Sequence, residues 1–109
     1  MASEREALLQ LARILGDEVV LVPLGLSRRH LPAALEEGQR RRLQAVLDGQ
    51  LPRLAEALLV EAVANDDVVD RASALAYLED RLRSLGQLLS PQQIEGLRHR
   101  LRSLRVPWA

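Results

Sequence analysis

The chain of 109 residues reads as an all-α protein: a small bundle of four to five helices built on a C-terminal antiparallel helical hairpin, with a short extended segment near residues 18–26. Three observations carry that reading. Leu75, Leu78, Leu82, Leu85 and Leu89 recur at alternating three- and four-residue steps, and after Ser90-Pro91 the rhythm resumes at Ile94, Leu97, Leu101 and Leu104. Such spacing keeps one apolar stripe on each of two helices, and so short a link folds them back on each other. Hydrophobic residues make up 48% of the chain and are mostly Leu, Ala and Val, of which Leu and Ala are strong helix formers. Gly16, Gly49, Pro52 and Pro91 punctuate the periodic stretches.

The first helix starts at Ser3 and Glu6, spaced as a capping box ahead of Leu8, Leu11, Ala12 and Leu15, and Gly16 stops it. The stretch from Glu18 to Leu26 follows, with the β-branched run Val19, Val20 and Val22 and a closing Pro23 and Gly25. This composition suits a strand or an extended arm. No second strand is evident, so the segment is expected to pair with its symmetry mate or pack as an irregular arm; the alternative is that the first helix runs on to Val22. Pro32 opens the next helix, running to about Asp48 with Leu35, Leu43, Val46 and Leu47 inward, before Gly49 and Pro52 interrupt it. Leu51, Leu54, Ala55, Leu58, Ala62 and Val63 form a further helix, and Asn65, Asp66 and Asp67 cap a long one from about Asp67 to Leu89. Ser90 then caps the last helix, which extends to about Arg105.

Charge is balanced, with fifteen acidic and fifteen basic residues, but unevenly placed. Residues 65–80 hold five acids against Arg71, and residues 81–109 hold six Arg against Glu95. Folding back at Ser90 brings Leu82 level with Leu97, Leu78 with Leu101 and Leu75 with Leu104. Glu79 and Asp80 then lie beside Arg100 and Arg102, and opposite charges help set the register. Apart from two histidines every basic residue is Arg, the signature of a GC-rich genome. With no Cys there is no disulfide, thiol nucleophile or thiolate metal site. Acids at Glu4 and Glu6 do not fit a secretory leader, and no apolar run approaches the ~18 residues of a membrane span. A single cytoplasmic domain over residues 1–109, not bound to a membrane, is expected.

Asp66-Asp67-Val68-Val69-Asp70 resembles the DDxxD motif with which polyprenyl diphosphate synthases hold magnesium and a diphosphate. The resemblance implies that Asp66, Asp67 and Asp70 share a cation one helical turn apart. It covers five residues and lacks the family's arginine pair and second aspartate-rich motif. A second magnesium chemistry, nucleotide pyrophosphohydrolysis, would draw Glu36, Glu37, Glu56 and Glu61 to the aspartates, yet that family's paired glutamates are unmatched. Helix capping by acids explains the same string. Glu95 and His99 have ligand spacing but also ion-pair spacing. His30 has no evident partner in a catalytic constellation, and no Gly-rich phosphate loop is present.

Two basic clusters, Arg28, Arg29, His30 with Arg40, Arg41, Arg42, and Arg98, His99, Arg100, Arg102 with Arg105, suit phosphate contacts. Zero net charge and the lack of aromatics for base stacking argue against nucleic acid as the main partner. Tyr77 and Trp108 are the only aromatic residues, so the core is thin, and burial of a further face against a second copy or another protein is expected. The expected role is therefore non-enzymatic and cofactor-free: a homodimeric adaptor, regulator or assembly factor. Its partner-binding residues are Val20, Val22, Leu24 and Leu26 on the arm, Arg40, Arg41 and Arg42 at the rim, and Trp108.

Overall fold

The computed structural model describes residues 3–104. Six α-helices and one 3₁₀ turn make up the fold, and no strand occurs among the described residues. Trp108 lies outside them.

Helix α1 (Glu4–Leu15) starts where the Ser3 hydroxyl accepts a hydrogen bond from the Glu6 amide at 3.2 Å, with Glu4 and Glu6 placed favourably in the dipole of its first turn. It buries Leu8, Leu11, Ala12 and Leu15 on one face. Gly16, at φ 97°, ends it. A side chain rarely adopts that conformation, so glycine decides where the helix breaks.

The extended segment expected around residues 18–26 is instead helical. Asp17–Val20 form a single turn, α2, and Val22–Leu24 a 3₁₀ turn that closes at Gly25 with φ 71°. Two physical reasons override the β-branched composition. A lone strand leaves its backbone groups unpaired, whereas here the Val20 and Leu21 amides donate to the carbonyls of Gly16 and Asp17 at 3.1 and 2.8 Å. The helical turn also places Val20, Leu21 and Leu24 in the core, at 0%, 1% and 6% exposure, which outweighs a helix-propensity penalty of under ~1 kcal/mol per residue.

Helix α3 (Glu37–Asp48) starts later than Pro32. The Glu36 amide donates to the Gln39 side-chain oxygen at 3.1 Å, and a start there leaves Gly38 in the first turn rather than mid-helix, where it would cost ~1 kcal/mol. Helix α4 (Leu51–Ala64), with Pro52 in its first turn, buries Leu54, Ala55, Leu58 and Ala62 and lies against α6, α5 and α1. Helix α5 (Arg71–Leu85) begins at Asp70, not Asp67: the Asp70 carboxylate accepts from the Ser73 amide at 2.8 Å, and the Ser73 hydroxyl accepts from the Asp70 amide at 3.1 Å. Helix α6 (Pro91–Ser103) is capped by Ser90, whose hydroxyl accepts from the Gln93 amide at 3.1 Å.

Helices α5 and α6 fold back as the leucine spacing predicts, but α6 packs far more extensively along α4 than along α5. Gly96 of α6 faces Leu51 of α4 in this contact, where a Cβ would meet a Leu51 methyl at 3.5 Å, an ordinary van der Waals distance. The turn between α5 and α6 is fastened by α3. The Arg40 guanidinium donates to the Gln87 carbonyl at 2.6 Å, and the Gln44 amide donates to the Leu88 carbonyl at 2.9 Å. The Gln93 amide, on a residue 5% exposed, donates to both the Gln44 carbonyl and an Asp48 carboxylate oxygen at 2.6 Å. Buried polar groups are tolerable when satisfied in this way.

Candidate functional site

Because α6 sides with α4, the α5–α6 pair gapes at its open end. A cleft of about 310 Å³ runs between them. Ala74, Leu78 and Leu82 of α5 and Leu101 of α6, all buried, form its floor. Leu75, which is 52% exposed, and Leu104 form its apolar walls. Arg71, Glu79, Arg98 and Arg102 stand around it.

Among the described residues a single ion-paired strut crosses this space. Arg98 meets both carboxylate oxygens of Glu79, at 2.8 and 3.1 Å, and also binds Glu95 on its own helix. The Arg98 hydrogen bond, helped by the positive charges of Arg98, Arg102 and Arg83, holds the Glu79 carboxyl below its ordinary range. The charge register thus differs in detail from the one expected. Glu79 pairs with Arg98 rather than Arg100 or Arg102, and Asp80 pairs with Arg83 on its own helix at 3.5 Å. Arg71 and Arg102 are exposed and make no ion pair among the described residues.

The other expected site residues are dispersed. Val20 and Leu24 are core residues and Leu26 is half-buried, so of the supposed arm only Val22, at 63% exposure, is available to a partner. The arm is spent inside the molecule because helical turns aim these side chains inward. The arginine triplet likewise separates. Arg40 is half-buried, paired with Glu4 at 2.6 Å and bound to the Gln87 carbonyl. Arg41 is exposed against Glu37 at 3.3 Å, and Arg42 donates to the Pro23 carbonyl at 3.3 Å. With Arg40 and Arg98 engaged in this way, each basic cluster loses a member to structure.

Asp66 and Asp67 lie in the turn before α5, so they do not share a helix face with Asp70 as the diphosphate-binding resemblance implies. The Asp70 carboxyl is held below its ordinary range, first by the Ser73 amide and then by the Ser73 side chain, which marks it as a cap. Among the described residues no group of three or more His, Cys, Asp or Glu side chains could hold a metal ion. No helix of the described residues is long and apolar enough to cross a membrane.

The leucine ladder identified the cleft's residues as core, but not that they line an opening. The opening has no local signal, because it depends on how α6 divides its contacts between α4 and α5. No protein-family model matches the chain, and neither a curated protein nor a solved structure is significantly similar to it.

Proposed function

We propose that the chain is a non-enzymatic protein-binding module, a cytoplasmic adaptor, regulator or assembly factor, whose α5–α6 cleft takes an apolar anchor from another protein. The observation that supports this is the cleft itself: aliphatic side chains at its floor and walls, polar groups confined to its edge, and Leu75 half uncovered. A concave apolar surface with a few placed charges is what anchor-in-groove recognition uses. The binding surface therefore moves from the Val20–Leu26 arm to the hairpin. Association of two copies belongs to the same reading, since Val22, Val60, Val63, Val69 and Leu75 are all at least half exposed.

Panning a random peptide library against the full chain tests the reading, with Leu75→Asp as the comparison. Leu75 is exposed enough for that change to leave the fold intact, which circular dichroism checks. Enriched peptides are expected to carry a large apolar residue and to lose affinity for Leu75→Asp at least tenfold, since burying one such side chain contributes roughly 1.5–3 kcal/mol. No enrichment, or binding indifferent to Leu75→Asp, overturns the proposal.

A further inference from the structure

We infer that the cleft's partner is a short segment in which the apolar anchor is flanked by carboxylates. This rests on the cleft being the binding surface and adds the partner's chemistry. Among the described residues, the edge of the cleft carries Arg71, Arg98 and Arg102 against the acid Glu79, a net charge of +2 (three positive, one negative) in a chain whose overall charge is zero.

These three arginines differ. Arg98 is committed, since its guanidinium holds Glu79 across the cleft and Glu95 beside it. Arg71 heads α5, and Arg102 lies in the last turn of α6; both are exposed and neither makes an ion pair among the described residues. Arg71 does not serve its own helix electrostatically, because a cation at a helix N-terminus opposes the dipole. Two exposed guanidiniums on opposite banks of one apolar cleft, neither hydrogen-bonded to a carboxylate among the described residues, can each receive a carboxylate while the anchor fills the space between them. Lysine-flanked segments meet like charge at both banks, so the arrangement selects as well as attracts. The other cleft beside α6 has Ala55 as the one buried residue among its described lining and sets Glu56 against Arg100, so it offers neither a leucine floor nor a surplus of arginines.

Two fluorescein-labelled peptides sharing one Leu-Trp-Leu anchor, flanked by Glu in one and by Lys in the other, test the inference by anisotropy against the full chain. The Glu-flanked peptide is expected to bind roughly tenfold more tightly in dilute buffer, the yield of two exposed ion pairs, and that advantage should shrink as salt is raised. In the double variant Arg71→Glu/Arg102→Glu the preference should reverse. Both positions are exposed, Arg98 is untouched, and circular dichroism confirms folding; should the double variant unfold, Arg71→Gln and Arg102→Gln singly should each remove part of the preference. Equal affinity for the two peptides, or a preference that survives the variants, overturns the inference. If both peptides bind equally yet lose affinity with Leu75→Asp, the acidic partner is refuted and the cleft reading stands. If neither peptide's binding responds to Leu75→Asp, the cleft reading itself has failed.

Discussion

Replacing Gln93 with Glu changes one nitrogen to oxygen at the point where α3, α6 and the preceding turn meet. The Gln93 side-chain amide gives hydrogen bonds of 2.6 Å to the Gln44 carbonyl and to Asp48, while its oxygen accepts from the Ser90 amide at 3.1 Å. Glu retains the acceptor and loses both donors, at about 1 kcal/mol each. It also sets a second carboxylate against Asp48. At a separation of ~4 Å like charges cost about 1 kcal/mol in water and about 4 at an effective dielectric of 20. Gln93 is 5% exposed but Asp48 is on the surface, so an intermediate value of ~2 kcal/mol applies. The total, about 4 kcal/mol, is a large share of the ~5–15 kcal/mol that holds a typical domain folded.

Urea unfolding followed by circular dichroism measures this loss, and pH separates its parts. The new carboxyl is harder to ionise in the folded state, so its folded pKa lies above its unfolded one. The deficit is therefore smallest below the unfolded value of ~4.3 and grows as pH rises toward the folded value. Gln93→Met, which removes three hydrogen bonds and adds no charge, should cost about 3 kcal/mol with no such added pH dependence. A Gln93→Glu deficit below ~1 kcal/mol at neutral pH, or one that does not shrink on acidification, refutes the clasp as described.

Gln10 is 7% exposed and its amide nitrogen has no hydrogen-bond partner among the described residues, so Gln10→Met should stabilise the protein by about 1 kcal/mol; calorimetry showing a lower melting temperature contradicts that. Glu79 has a folded pKa below its ordinary 4.5, so the stability it lends is present above that value and is lost as pH falls through the folded pKa. Its side chain is 47% exposed, so Glu79→Gln should lower the melting temperature at neutral pH by only about 1–4 °C, and the difference should vanish in acid.

Much of the architecture was legible because its signals are local. Ser3, Pro52 and Ser90-Pro91 mark helix starts, and Gly16 a stop, through bonds made within a few residues of chain. The turn at Asp17–Val20 was hidden because its valines favour strands weakly, while the burial that decides the matter depends on the rest of the core. The start of α5 was ambiguous because Asp66, Asp67 and Asp70 can all cap, and only Asp70 has Ser73 at the reciprocal position. Residues of the cleft were readable as apolar, but its existence depends on the balance between two helix–helix contacts. Arg40 shows the converse limit: within a run of three arginines, only the fold decides which one turns inward.

The hold of α3 on the turn before α6 also bears on what can be cut from this chain. Its hydrogen bonds join residues 44 to 49 positions apart, whereas the link between α5 and α6 is short. Released as a peptide, the two C-terminal helices would keep their leucines but lose the acceptors for Gln93 and the donors to the carbonyls of residues 87 and 88. The geometry that opens the cleft is thus a property of the whole bundle. A minimal binder made by excising the hairpin would inherit its sequence without its shape.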